Sequence, residues 1–314
     1  MEDWIKNFGK QFEAPLEVVG NVPKFSRFIV VGMGGSNLAT GLLKLQNKEI
    51  DIWAHRDYGL PEIEDSVLKN SLIILNSYSG NTEEVLDTFD VVVERGLNAI
   101  AISIGGTLLD KAKKQGIPYI QLPDLGLQPR MALGLSVRAL ALATGTTIPQ
   151  EVLFNPADLE ASGKKLAVRL QNKIPIIYAS RRNFSLAYAW KTIINETAKS
   201  PAFCNAFPEV NHNEMSGFEA PNAEWKLSDR LHFVFLQDTA DDPRIGKRMN
   251  LTKDVFQDRG LAVETVGLDG ETPVDRIFSS LILCMWTSYH LAKTYGVSPE
   301  DLALVEEFKK KMAQ

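Results

Sequence analysis

Short apolar runs alternate with longer stretches of helical period along the first half of the chain. Phe28–Val31, Ile52–Ala54, Leu72–Leu75, Ala99–Ser103 and Tyr119–Leu122 are nearly continuous in apolar residues. Such runs are what strands buried on both faces look like. Helical patterns lie between most of them, at Asn37–Leu45, Glu83–Glu94 and Leu108–Gln115. Gly116 follows a lysine-rich last turn and is a good helix stop. Strands alternating with helices predict a parallel, doubly wound sheet covered on both faces. A further helix, rich in Ala and Leu, is predicted over Met131–Ala143 and would pack on that sheet.

The pattern then pauses and restarts. Thr146–Gln150 reads as a boundary, which divides the chain into 1–150 and 151–314. Pro149 and Pro156 bracket a loose segment, and Leu159–Gln171 reads as a connecting helix. Strands are expected at Ile174–Tyr178, Leu231–Leu236 and Ala262–Val266. Helices are expected at Phe184–Thr197, Lys247–Asp258, Val274–Tyr295 and Pro299–Met312. Both halves open with strand, polar turn and helix, which points to a duplication at the level of the fold.

Composition narrows the function. The chain has 314 residues, 45% of them hydrophobic and 23% charged, enough for about two domains with real cores. A net charge of −5 and the lack of a long basic run argue against nucleic acid as the main partner. A small anion needs only local donors and is not excluded. Cys204 and Cys284 are the only cysteines, which suits a reducing compartment rather than a disulfide framework. The first residues lack the pattern of a signal peptide, and no apolar run is long enough to span a membrane, so a cytoplasmic protein is expected.

The densest chemistry lies at Ser77-Tyr78-Ser79-Gly80-Asn81-Thr82-Glu83-Glu84, where a strand hands over to a helix. Free backbone N–H groups and the positive end of the helix dipole suit a phosphate there. Ser77, Ser79 and Thr82 add hydroxyls without adding charge. A plain helix cap reads equally well from this segment alone, because a hydroxyl followed by acids starts any helix. Gly32-Met33-Gly34-Gly35-Ser36-Asn37 follows the first strand. Asn37 stands where a dinucleotide fingerprint needs glycine, and no Walker lysine follows. Both loops are expected at the carboxyl edge of one sheet, where ligands of open parallel sheets bind. Pro129 would set Arg130 in the first turn of the following helix; a surface arginine and a buried charge stabiliser are both open readings. Glu214, in Asn211-His212-Asn213-Glu214, has Met215, Phe218 and Trp225 near it in sequence. An apolar cleft would raise its pKa and let it move protons, whereas the bland reading is a cap. The four histidines show no metal-ligand spacing, and no metal is expected.

Taken in order, Gly32–Ser36, Ser77–Glu83, Pro129-Arg130 and Asn211–Glu214 resemble the bifunctional phosphoglucose/phosphomannose isomerases of archaea and bacteria. These belong to the phosphoglucose isomerase superfamily, with two sugar isomerase (SIS) domains. The resemblance implies an α/β fold of two SIS-type, flavodoxin-like subdomains. It implies interconversion of glucose 6-phosphate, and mannose 6-phosphate, with fructose 6-phosphate through a cis-enediol, without a cofactor. Gly35, Ser36, Ser77, Ser79 and Thr82 would hold the phosphate, Glu214 would be the base, and Arg130 would stabilise the enediolate. Lys309 resembles a lysine near the family's C-terminus that reaches the site, and a homodimer with shared active sites is implied.

One departure stands out. The family opens the sugar ring with a histidine from the neighbouring subunit, expected just after Leu231–Leu236. Here that stretch reads Asp238-Thr239-Ala240-Asp241-Asp242-Pro243-Arg244, leaving Asp242 or His232 as stand-ins. The alternative function is a non-catalytic phosphosugar-binding SIS regulator, which would keep the Ser77–Thr82 loop but lack the base.

Overall fold

The computed structural model describes residues 1–149, 151–219 and 227–312. The chain forms two compact units, one of Phe8–Leu153 and one of Met1–Asn7 with Phe154–Gln314. The short helix α1 (Glu2–Lys6) thus belongs to the second unit, where Tyr289 donates a hydrogen bond to Glu2 at 2.7 Å.

The first unit runs α2 (Lys10–Glu13), β1 (Arg27–Val31), α3 (Gly34–Gln46), β2 (Asp51–His55), α4 (Asp65–Lys69), β3 (Leu72–Asn76), α5 (Glu83–Glu94), β4 (Ala99–Ser103), α6 (Gly106–Gln115), β5 (Tyr119–Gln121) and α7 (Leu133–Thr144). Its sheet has the order β2-β1-β3-β4-β5, and all pairs are parallel. This is the flavodoxin-like order, with its topological switch between β1 and β3. Every residue of β3 and β4 is buried, as their unbroken apolar runs demand. Ile73, Leu75, Phe89, Val92 and Leu108 form one core on the sheet.

The second unit runs α8 (Glu160–Leu170), β6 (Ile174–Ser180), α9 (Phe184–Ile193), β7 (Phe203–Phe207), β8 (Leu231–Gln237), α10 (Pro243–Asp258), β9 (Ala262–Gly267), α11 (Pro273–Tyr295) and α12 (Ala303–Met312). Its parallel sheet has the order β7-β6-β8-β9, so the switch falls between β6 and β8. A Thr272–Asp275 capping box starts α11. Helix α8 lies close on α11 because Gly163 leaves room for Trp286; a β-carbon there would collide with the Trp286 Cβ.

Several boundaries differ from expectation. Helix α10 starts at Pro243 rather than Lys247, because Asp242 caps it and proline suits its first position. Helix α7 starts at Leu133, so Arg130 lies in the preceding turn, closed by Met131 N–H to Gln128 O at 2.8 Å. Helix α9 gives way to a π turn over Ile194–Ala198 rather than running to Thr197. Strand β7 had no apolar signature, since Phe203 is exposed and Asn205 interrupts it.

His232, near the start of β8, is 5% exposed, and neither ring nitrogen has a hydrogen-bond partner among the described residues. Burial holds its pKa below the ordinary histidine value; Lys173 and Arg169 act the same way and Glu264 opposes. The folded chain therefore takes up this proton less readily than the unfolded chain. Stability from this group is complete above the unfolded pKa and is lost as pH falls below about 6.5. Melting temperature should fall on acidification through that window, and His232→Leu should flatten the slope. Superimposable pH–melting curves for the two proteins would refute this.

Candidate functional site

The carboxyl ends of β1 and β3 carry two loops that interlock. Asn76 Nδ2 donates to Ser36 O at 2.8 Å, and Tyr78 N–H donates to the Ser36 hydroxyl at 3.0 Å. Asn37 Nδ2 closes the glycine loop by donating to Gly32 O at 2.9 Å, and its Oδ1 accepts from Arg56. This explains why asparagine rather than glycine stands there. The Ser77 hydroxyl accepts from Gly80 N–H at 3.1 Å and shares a 2.7 Å bond with the Thr82 hydroxyl. Thr82 is the N-cap residue of α5, yet its side chain makes no cap bond. The loop is thus not an ordinary cap, and the first N–H groups of α5 are left to other acceptors. Ser79 is exposed, Thr82 half-buried, and Ser36 and Ser77 buried.

Glycine is required where these segments meet. Gly80 has φ +74°, and a β-carbon on it would overlap the Gly105 carbonyl oxygen. A β-carbon on Gly35 would sit 2.8 Å from the backbone N of Arg130. The Gln128–Ala132 turn therefore lies directly against the glycine loop. Arg130 is 1% exposed, which removes the reading of a solvated surface arginine. Gly35, Ser36, Ser77, Ser79, Thr82 and the Arg130 backbone form one hydroxyl- and amide-rich region of the first unit.

Glu214, Asp242 and Lys309 belong to the second unit. After β7 the chain makes two short 3-10 turns, Glu209–Asn211 and Glu214–Phe218. Asn211 Nδ2 donates to the Thr252 hydroxyl of α10 at 2.8 Å, and Asn213 Nδ2 donates to Glu209 at 2.6 Å. Met215 and Phe218 pack on the core of Tyr178, Phe207, Phe233, Phe235 and Phe256; Trp225 lies outside the described residues. The Glu214 carboxylate itself meets polar groups, neither an apolar cleft nor a capping position, since Asn213 is the N-cap of its turn. The Tyr178 hydroxyl donates to Oε1 at 2.5 Å, and Asn205 Nδ2 donates to Oε2. Sequence reasoning missed both donors. The available signals were an asparagine amid a short apolar segment and a buried tyrosine, whose hydroxyl needs a partner.

Asp242 does not suit proton donation. It is the exposed N-cap of α10, accepting from Arg244 N–H at 2.9 Å and paired with the Arg244 guanidinium at 2.7 Å. Those Arg244 bonds hold its carboxyl down at about 2, where a general acid would need it raised. His232 is enclosed near the amino-terminal end of β8, the strand that precedes Asp242. Lys309 is exposed on α12 and paired with Glu306 at 2.8 Å.

The switch point of the second sheet is built differently from that of the first. After β6 and β8, Asn183 Nδ2 donates to Asp238 at 3.1 Å and to Asp241 at 3.3 Å. Arg182 lies 3.6 Å from each carboxylate. Burial, with Asp238 nearby, pushes the Asp241 carboxyl above its usual range. Side chains of the unit itself fill this position, and two of them are acids.

If the close approach at Gly80 shapes the phosphate-like loop, Gly80→Ala should both strain the backbone and displace the Gly105 carbonyl. A loss of about 1–3 kcal/mol is expected in denaturant unfolding. An unchanged midpoint and slope would show that the loop tolerates a β-carbon.

Residues 159–312 match the family described as bacterial phospho-glucose isomerase C-terminal SIS domain. A bifunctional phosphoglucose/phosphomannose isomerase from Caldicellulosiruptor bescii is 33% identical over 100% of this chain and 99% of its own. One from Aquifex aeolicus is 28% identical over 98% of this chain and 97% of its own. Among solved structures, a hypothetical protein from Thermus thermophilus superposes with a TM-score of 0.71 at 15% identity, covering 99% of this chain and 87% of that one; it speaks to the fold alone. The near full-length identity carries the assignment: the chain belongs to the bifunctional phosphoglucose/phosphomannose isomerase family.

Proposed function

We propose that the protein is an aldose–ketose isomerase interconverting glucose 6-phosphate, and mannose 6-phosphate, with fructose 6-phosphate. The observation that carries this reading is the Glu214 carboxylate, fixed by Tyr178 and Asn205 beside the family's Asn-His-Asn-Glu segment. The half within 1–150 holds the phosphate through Gly35, Ser36, Ser77, Ser79 and Thr82. The half within 151–314 supplies the base.

Glu214 takes the proton from C2 of the open-chain aldose phosphate and leaves a cis-enediol. It returns that proton to C1, while the hydroxyl proton passes from O2 to O1, giving the ketose. Both faces of the enediol lead back to an aldose, so the C2 epimers share one intermediate. Arg130 stabilises the negative charge that develops on the enediolate oxygen, where a buried guanidinium is worth far more than in water. Binding the phosphate away from the reacting carbons provides energy to orient them. The active assembly is a homodimer. No step is routed through Asp242, His232 or Lys309; the first two are held in states unfit for ring opening, and Lys309 is engaged on its own helix.

Glu214→Gln should lower turnover by about 10²- to 10⁴-fold while sugar phosphate still binds. A coupled assay with both aldose phosphates, together with solvent-deuterium incorporation at the sugar carbons, measures this; retained turnover would remove Glu214 as the base. Asp242→Asn preserves the cap and should leave kcat within about two-fold of the wild-type value, a barrier change well under 1.4 kcal/mol. A large loss would return Asp242 to the mechanism.

A further inference from the structure

We propose that Tyr178 and Asn205 are positioning residues that clamp the Glu214 carboxylate, one donor on each oxygen, and so set its orientation for proton transfer. The inference rests on Glu214 being the base.

The clamp follows from sheet register. Tyr178 of β6 and Asn205 of β7 are paired across the parallel ladder, so their side chains stand side by side on one face. Phe235 of β8 continues the same row on the other side of Tyr178. Glu214 reaches this row from the 3-10 turn that follows β7, and its two oxygens take one partner each.

Neither donor is free to turn away. Asn205 Oδ1 accepts from the backbone N–H of Ala206 at 2.8 Å, so its Nδ2 is the end left to face the carboxylate. The Tyr178 ring is fully buried and stacks on Phe235 at 5.6 Å with a 24° interplanar angle. Phe207 meets it edge-on at 5.8 Å, and Phe233 packs at 5.6 Å. Burial first, and the Glu214 bond second, push the phenol far above its ordinary pKa. It therefore stays protonated at working pH and acts only as a donor toward the carboxylate.

A carboxylate that takes a proton from carbon must present one oxygen to a nearly fixed point, and small displacements are costly. A free glutamate has rotamers to lose; this one is already held. Among the described residues, other titratable or charged groups near this segment include Glu209 and His212 on the same turns, Cys204 on β7, Lys191 of α9, which acts on Cys204, and Arg248 of α10, which bonds Asn211 at 3.3 Å. Burial pushes the Cys204 thiol up, away from the acidic range where a carboxyl titrates.

The test compares kcat and KM of the full-length protein with those of Tyr178→Phe and Asn205→Ala, using fructose 6-phosphate as substrate. Tyr178→Phe keeps every ring contact and removes only the hydroxyl. In each variant kcat should fall about 10- to 100-fold while KM stays close to wild type. A merely structural role would lower melting temperature and leave kcat of the folded protein unchanged. If Tyr178→Phe does not fold, Asn205→Ala reads the same split from the other oxygen. Unchanged kcat in both variants, with Glu214→Gln inactive, would overturn the clamp and leave the base standing. An active Glu214→Gln would instead remove the base, and the clamp with it.

Discussion

The first unit depends on backbone coming closer to backbone than side chains allow. At Gly80 the next loop's carbonyl oxygen occupies the space of a β-carbon, and at Gly35 the amide of Arg130 nearly does. That contact locks the loops after β1, β3 and β4 and the turn before α7 into one body. The hydroxyls of Ser36 and Ser77 are consumed in building it, as acceptors of backbone N–H groups. A loop that spends buried hydroxyls on its own shape keeps its outer donors in place before any ligand arrives. This is preorganisation.

The second unit achieves rigidity by side-chain packing instead. Tyr178, Phe207, Phe233, Phe235 and Phe256 form a continuous aromatic cluster on one face of its sheet. Such rings are stiff and prefer edge-to-face or offset contacts, so they transmit position well. The phenol at the end of that cluster is where packing turns into chemistry, because its hydroxyl reaches Glu214. Family membership gives the glutamate its name; the register of β6 and β7 gives it its neighbours.

Much of the fold was legible in the chain because buried parallel strands leave an apolar run that little else produces. Leu72–Leu75 and Ala99–Ser103 are of this kind, and both are strands. β7 was not legible, since an edge strand need bury only one side, and Asn205 and exposed Phe203 erase the pattern. At the site, the hydroxyl loop announced itself by an excess of donors at a strand-to-helix turn. Arg130 did not, because burial of an arginine depends on what packs over it. Asp242 carries two readings in the chain: the sequence offered it, with His232, as a stand-in for a ring-opening group, but aspartate before proline at a helix start is also an N-cap, and here Arg244 pins it as one. Tyr178 and Asn205 were invisible for a different reason. Their pairing exists only across a ladder, 27 positions apart in sequence.

The two sheets repeat an architecture without repeating its use. At the switch point of the second, Asp238 and Asp241 are already satisfied by Asn183 and flanked by Arg182. Carboxylates stand here where the first sheet offers amides and hydroxyls, and like charge repels an anion. The second copy of the crevice has become masonry, closed by its own acids, amide and guanidinium.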